Sequence, residues 1–430
     1  MKKTINLLTM GCSKNRVDSE ILMRQLVANG FDVSYEATSG KFDFVVINTC
    51  GFINDAKEES INTILEYAEQ KKHRRVGKIV VCGCLSQRYR EELKAEIPEV
   101  DAWFGKFELK PMLQYFNAEY HCNLQPGRTL TTPSHYAYVK ISEGCNRTCS
   151  FCAIPNITGR YTSRPKEEIL EECRLLVASG VKEIILIAQD LSFYGVDLYK
   201  KLCLAELMES IAEIDGLAWL RIHYTYPAHF PTDILDVMAR HSNICNYLDI
   251  ALQHISDHML GQMHRNISKQ QTYDLVRQFR ERVPGLVLRT TLLVGHPDET
   301  DEDFAELVEF VKDVRFDRLG VFTYSNEENT YAFENYTDNV PEDVKQQRME
   351  EIMAIQQQIS LEINQQKVGK TIKVLIDRQE GGYFIGRSEG DSPEVDGEVL
   401  VSGSNLPIGD FVNVRVTDAD EFDLYAELAK

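Results

Sequence analysis

Over residues 1–125, short apolar runs at 4–10, 43–48 and 78–81 each give way to a loop and then to a stretch whose apolar positions recur at helical spacing. That alternation predicts α/β structure around a parallel sheet. From residue 136, six more strand-like runs at 136–142, 183–188, 219–224, 247–252, 286–294 and 318–324 alternate with helical patterns, as in a partial (β/α)6 barrel. Residues 341–366 read as one long helix, with Pro341 at its start and Met349, Ile352, Ile355 and Ile359 forming a core stripe. Beyond it, short runs at 371–376, 383–387, 398–401 and 410–417, broken by glycine and proline, predict a small antiparallel β-barrel. Three domains are therefore expected, over 1–125, 126–365 and 366–430.

Composition narrows the setting. The 430 residues are 43% hydrophobic, enough for sizeable cores. No stretch approaches a membrane span, and the apolar run at 5–10 is too short for a signal segment and has no cleavage site, so a cytoplasmic protein off the membrane is expected. The net charge of −19 is uneven: 17 basic and 17 acidic residues in 1–125, 23 and 36 in 126–365, 7 and 13 in 366–430. A surplus of carboxylates attracts a basic partner and repels a polyphosphate. Eleven cysteines, an odd count, argue for thiols used as ligands rather than for a disulfide framework. Cys122, Cys173, Cys203 and Cys245 lack ligand-like spacing and are expected to behave as small core residues.

Candidate chemistry starts at Cys145, Cys149 and Cys152, spaced C-x3-C-x2-C in the segment YVKISEGCNRTCSFCAIP. Three thiolates can hold a 4Fe-4S cubane and leave one iron open to a chelating small molecule, where four would close it for electron transfer. Phe151, before the last cysteine, suits a cluster shielded from water. The competing reading is a structural zinc site completed by a histidine, but no second ligand pair follows at zinc-finger distance.

A second trio comes from strand position. Each of the first three strands runs into a cysteine, at Gly11-Cys12, Thr49-Cys50-Gly51 and Gly83-Cys84. In an open parallel sheet the carboxyl ends of neighbouring strands share one edge, where ligands bind. Cys82 still belongs to its apolar run and is expected to pack, leaving Cys84 as the ligand. The barrel strands end on polar residues: Glu143 and Cys145, Gln189 and Asp190, Tyr224 and Tyr226, Gln253 and His254, Thr290 and Thr291, Tyr324 and Ser325. Such positions line the active site of a barrel. Among them Gln189, Asp190, Tyr224 and Thr291 are the candidates for cofactor or substrate contacts, with barrel packing as the plain alternative. His254 and His296 have a structural alternative too, and Gly295-His296-Pro297 looks like a turn that brings backbone close to a ligand.

The C-x3-C-x-aromatic-C motif after a short strand resembles the radical S-adenosylmethionine family. The order of the three parts, with GCSKNRVDSE, ILIAQD, RIHYTYP, YLDIALQH and RLGVFTYSNEE, resembles its methylthiotransferase branch, RimO type, over nearly the whole chain. Ala251 departs from the pattern, where proline is expected. The resemblance implies an N-terminal cluster domain, a radical core and a terminal TRAM domain. Cys145, Cys149 and Cys152 would hold the radical 4Fe-4S cluster, and Cys12, Cys50 and Cys84 an auxiliary one. S-adenosylmethionine would be used twice, to methylate a cluster-borne sulfur and to supply a 5′-deoxyadenosyl radical. That radical would remove hydrogen from the β-carbon of an aspartate in small-subunit ribosomal protein S-twelve, and the carbon would then take up the methylthio group. An external one-electron reductant and a sulfur donor are implied as partners.

Two other readings remain. A related methylthiotransferase acts on a tRNA adenosine, yet the terminal barrel here has about twice as many acidic as basic residues, which suits a basic protein better. A two-cluster electron carrier or scaffold would have no reason to cleave S-adenosylmethionine.

Overall fold

The computed structural model describes residues 2–106, 108–124 and 127–429. The expected boundary at 125/126, like the outermost residues Met1 and Lys430, lies outside the described residues. The chain opens with β1 (Thr4–Thr9), α1 (Ser13–Ala28), β2 (Asp32–Tyr35), β3 (Phe42–Thr49), α2 (Asn54–Lys72), β4 (Val76–Gly83), α3 (Cys84–Glu96), β5 (Ala102–Trp103) and α4 (Leu109–Tyr115). The strands form one parallel sheet in the order β2-β1-β3-β4-β5. Both faces are covered, which is why β3 is a continuous apolar run: Phe44 and Val46 join one core cluster, Val45 and Ile47 the other. Edge strands β2 and β5 were not foreseen, the first half-exposed and the second only two residues long.

The second part contains β6 (Tyr136–Lys140), β7 (Ser142–Glu143), α5 (Ile154–Thr158), β8 (Thr162–Ser163), β9 (Glu183–Ile187), β10 (Trp219–Ile222), β11 (Tyr247–Gln253), β12 (Val287–Val294) and β13 (Arg318–Thr323). The six long strands appear as expected, in two parallel halves, β10-β9-β6 and β11-β12-β13. Among the described residues only the isolated bridges Leu220–Ile244 and Thr225–Ile250 join the halves, so the barrel is partial. Alternate residues such as Ile184, Leu186, Leu248, Ile250 and Leu288 share the main core with the surrounding helices. Their neighbours Arg221, Asp249 and Arg289 are polar and paired. The antiparallel β7–β8 pair brackets the loop that carries Cys145, Cys149 and Cys152.

The expected long helix spans Glu342–Gln365, with Ile352 and Ile359 buried in the main core and Met349 and Ile355 packed against it. The closing barrel is β14 (Thr371–Glu380), β15 (Tyr383–Arg387), β16 (Val399–Ser402), β17 (Phe411–Ala419) and β18 (Leu424–Leu428), closed in the order β14-β15-β16-β18-β17. Its pairings are antiparallel except β16–β18, which is parallel, and β18 was not foreseen. Cys173, Cys203 and Cys245 are buried as expected; Cys122, in a short helical turn, is exposed. Among the described residues no helix is long and apolar enough to cross a membrane.

Two contacts set the parts around the site. From the N-terminal side, Val17 and Ile21 of α1 pack on Tyr136, Tyr138, Ile185, Ile187 and Tyr224 of the radical core. The β15–β16 connection meets the start of β13 and β11, where Asp391 pairs with Arg318 at 2.6 Å and Asp396 accepts from Tyr247 at 2.7 Å, and runs on to His223 past the end of β10, which Ser392 meets at 2.7 Å, and to Arg16 of α1, which pairs with Glu394 at 2.7 Å. The terminal barrel thus stoppers one end of the partial barrel, and the carboxyl ends of the strands face the N-terminal sheet.

Candidate active site

The three strands β1, β3 and β4 are neighbours, so their carboxyl ends deliver Cys12, Cys50 and Cys84 to one edge. Glycine makes the approach close enough. Gly11 has φ +88°, and a Cβ there would sit 2.6 Å from Cβ of Cys50; Gly83, φ +97°, has Asn48 Oδ1 and Thr49 O at 2.5 Å. Larger residues would push the three loops apart. Cys82, one step back in β4, packs in the hydrophobic core.

The electrostatics of this trio are uneven. Burial alone would push the Cys12 thiol up, but the ammonium groups of Lys14 and Lys106 and backbone N–H groups outweigh it and hold it below the ordinary thiol value. Burial raises Cys50, and pushes Cys84 up to about 12 against the pull of Lys106, with the charges of Cys12 and Cys50 adding to the rise. Lys106 stands 4.0 Å from Cys84 Sγ and 3.4 Å from Asn15 Oδ1.

At the second trio, the Arg147 N–H donates to Cys145 Sγ at 3.4 Å and Arg265 Nη1 donates to Cys149 Sγ at 3.2 Å. Tyr226 lies between the two guanidinium groups, 4.0 Å from that of Arg147 and 4.3 Å from that of Arg265, and donates its hydroxyl to Arg265 O at 2.9 Å. Burial raises Cys145 to about 11 and also raises Cys152, which feels Cys149 and Cys145 in addition. Three thiols with cationic or N–H donors at their sulfurs fit an anionic iron-sulfur cluster, whose binding would remove the thiol protons. Among the described residues no three His, Cys, Asp or Glu side chains converge as the donors of a single metal ion do. A cubane, whose three thiolates each bind a different iron, needs no such convergence.

Cys84 packs directly on Ala153 and Ile157, which follow Cys152 in the chain. This contact sets the loop that follows Cys152 against Cys84, so the two trios are neighbours. Between them Glu143 pairs with Lys140 at 2.8 Å and Lys106 at 3.7 Å. Burial would raise its carboxyl, but these lysines and the Gln189 amide hold it down at about 2.

The other expected contacts divide. Gln189 donates to Glu143, and its own Oε1 is buried without a partner among the described residues. Asp190 caps the turn Leu191–Phe193 and holds Arg147 at 2.7 Å; burial raises its carboxyl in spite of that partner. Tyr224 has φ +69°, rare for a bulky side chain, and its ring lies 3.9 Å beneath Lys14 Nζ. Thr291 is half-buried on β12 opposite Gly320. Thr290 is structural, its hydroxyl donating to Ile250 O at 2.8 Å. His254 is fully buried beside Ser256, and His296 supports the cysteine loop through Ser150 at 3.1 Å. The turn at Gly295 packs on the long helix: a Cβ there would meet the Lys345 side chain at 2.2 Å. Ala251 sits at a register shift in β11, and its carbonyl accepts from Arg265.

Lys14, Lys106, Arg147 and Arg265 were missed. Lys14, two residues past Cys12, and Arg147, two past Cys145, carried a signal in their proximity to a ligand. Lys106 and Arg265 reach their cysteines only through the tertiary fold.

Residues 4–105 match the uncharacterized protein family UPF0004, 139–311 the radical SAM superfamily and 368–429 the TRAM domain. The chain is 59% identical over 429 residues to the ribosomal protein uS12 methylthiotransferase RimO of Bacteroides fragilis, covering 99% of each. It is 55% identical over 430 residues to the enzyme of that name from Porphyromonas gingivalis, again covering 99% of each, and 52% over 431 to that of Cytophaga hutchinsonii, covering 100% of this chain and 98% of the relative. Among solved structures, the radical S-adenosylmethionine methyltransferase TsrM of Kitasatospora setae, with cobalamin and a 4Fe-4S cluster bound, superposes with TM-score 0.53 at 16% identity over 75% of each chain. The cobalamin-dependent radical enzyme OxsB superposes with TM-score 0.52 at 12% identity, covering 82% of this chain and 56% of its own. These two share the fold.

Proposed function

Because this chain belongs to the RimO family of ribosomal protein uS12 methylthiotransferases, we propose that it transfers a methylthio group to the β-carbon of an aspartate in uS12, acting in the cytoplasm on the free or assembled protein. It is a radical S-adenosylmethionine enzyme with an iron-sulfur cofactor. In this reading there are two 4Fe-4S clusters, one held by Cys145, Cys149 and Cys152 and an auxiliary one held by Cys12, Cys50 and Cys84. An external one-electron reductant and a sulfur donor complete the system. When bound, these groups supply radical hydrogen abstraction from an unactivated carbon and a methylated sulfur to deliver there.

The observation that carries the reading is the packing of Cys84 on Ala153 and Ile157. It supports placing the two trios side by side, where a substrate side chain would be open to both. The protein residues orient and shield. Arg147, anchored by Asp190, and Arg265 place donors on the radical-side sulfurs. Gln189, Asp190, Tyr224 and Thr291 line the strand ends where S-adenosylmethionine and substrate meet. The acidic surplus of the last two thirds of the chain favours a basic partner such as uS12.

The test is intact-mass and fragment analysis of ribosomal proteins from cells with and without this chain. One methylthio group on a uS12 aspartate, present only with the chain, is expected. An unmodified uS12 together with a methylthiolated tRNA adenosine would move the substrate to RNA.

A further inference from the structure

Several cations lie around the two cysteine trios, and nearly all are paired with carboxylates. Lys106 faces Asp18 at 3.5 Å and Glu143 at 3.7 Å; Lys140 faces Glu143 at 2.8 Å and also meets Asp18; Arg147 holds Asp190 at 2.7 Å. Arg265 donates to Cys149 and to the Ala251 carbonyl, and its buried Nε has no partner among the described residues. Lys14 differs. Its ammonium group is half-buried and makes no salt bridge or hydrogen bond among the described residues; it rests on the Tyr224 ring, 3.9 Å from Nζ, within electrostatic reach of Cys12.

The position of that contact is built from two domains. Lys14 follows Cys12 by two residues in the first turn of α1, and Tyr224 follows the end of β10. Tyr224 is held in its unusual backbone conformation from two neighbours: its N–H donates to Asp249 Oδ2 at 3.3 Å, and its carbonyl accepts from the Leu191 N–H at 3.0 Å. Backbone strain kept in place by surrounding bonds is a mark of a site that orients something. A cation resting on an aromatic face and poor in water is a strong receptor for an anion.

We propose that Lys14, steadied on Tyr224, receives the side-chain carboxylate of the target residue between the two cysteine trios. This rests on the reading of an aspartate as the substrate. The carboxylate is bonded directly to the β-carbon, so anchoring it fixes the reacting carbon to within one bond and limits the orientations it can take. It also makes Lys14 a specificity residue: an asparagine has the same shape and no charge to offer.

The experiment uses the full chain with its clusters reconstituted anaerobically, and fluorescein-labelled uS12 peptides spanning the modified position with either aspartate or asparagine there. Dissociation constants are read by anisotropy, and iron content is measured on each variant. Wild type is expected to bind the aspartate peptide at least about tenfold more tightly than the asparagine peptide. Lys14→Gln is expected to bind both with the weak affinity of the asparagine peptide, while Lys14→Arg, which keeps the charge, retains a preference for aspartate. An undiminished preference in Lys14→Gln overturns the inference. If that variant fails to load iron, the arginine variant decides, and loss of the preference there overturns it equally. Wild type that binds both peptides alike removes the carboxylate receptor but leaves the uS12 reading standing; wild type that binds neither, and leaves uS12 unmodified, removes the uS12 reading itself.

Discussion

Arg387 of the terminal barrel and Glu183 at the start of β9 meet at 2.7 Å with 3% and 0% of their side chains exposed. The other oxygen of Glu183 lies 2.8 Å from Nε of Arg221, which is sealed as completely. One carboxylate therefore balances two guanidinium groups at the seam between the radical core and the terminal barrel. Asp377, 2.7 Å from Arg387, lends a second charge on one side only. Glu183→Gln keeps one acceptor oxygen, but it removes the charge that balances both guanidinium groups and turns the other oxygen into an N–H donor that faces one of them. Removing one partner of a buried pair typically costs about 3–5 kcal/mol. Guanidinium denaturation of the whole chain should show a loss in that range, with the terminal barrel becoming the first target of limited proteolysis; a loss below about 1 kcal/mol would mean that the seam is held by its apolar contacts alone.

At the auxiliary trio, Cys50 is buried against Gly11, and its replacement by alanine changes little volume. Cys50→Ala should keep the fold, bind about half the iron of wild type, stop methylthiolation, and still release some 5′-deoxyadenosine from S-adenosylmethionine. The measurements are iron and sulfide per chain, product mass and nucleoside yield. Full methylthiolation by this variant would refute Cys50 as a ligand.

Much of this architecture was legible in the chain because it is written locally. C-x3-C-x2-C is a spacing, and the auxiliary cysteines follow apolar runs that could only be parallel strands. The six core strands were found because each is a continuous run between helical patterns. What escaped was set by long-range partners. Arg265 meets Cys149 across 116 positions, and Arg387 meets Glu183 across 204. Nothing near those arginines signals a cluster or a seam. Likewise β5 is two residues long, and β18 is an ordinary short segment until the closure of the barrel gives it two neighbours.

Arg265 donates to Cys149 Sγ at 3.2 Å. A donor on a cluster sulfur stabilises the more negative, reduced state and raises the reduction potential. Arg265→Gln removes the positive charge and shortens the reach, so the radical-side cluster should become harder to reduce by on the order of 50 mV, the equivalent of about 1 kcal/mol of lost hydrogen bonding. Potentiometric titration followed by electron paramagnetic resonance measures this directly. An unchanged potential would leave Arg265 a packing role under Tyr226.

His254 supplies a pH test independent of the clusters. Its ring is fully buried, Nδ1 accepts from the Ser256 N–H at 3.1 Å, and Nε2 has no partner. Burial, against the pull of Asp303, depresses the imidazole to about 3. The folded protein therefore keeps His254 neutral while the unfolded chain takes up a proton near the ordinary value of about 6.5, so its contribution to stability is complete above that pH and drains away as the pH falls toward 3. Between pH 6.5 and 4.5 the loss attributable to this one residue should be about 2–3 kcal/mol. His254→Asn keeps an acceptor for the Ser256 amide and cannot titrate, so its stability should fall less steeply over the same interval. Urea denaturation of both proteins at pH 7, 5.5 and 4.5 reads the difference; parallel slopes would show that the acid sensitivity of the fold lies elsewhere.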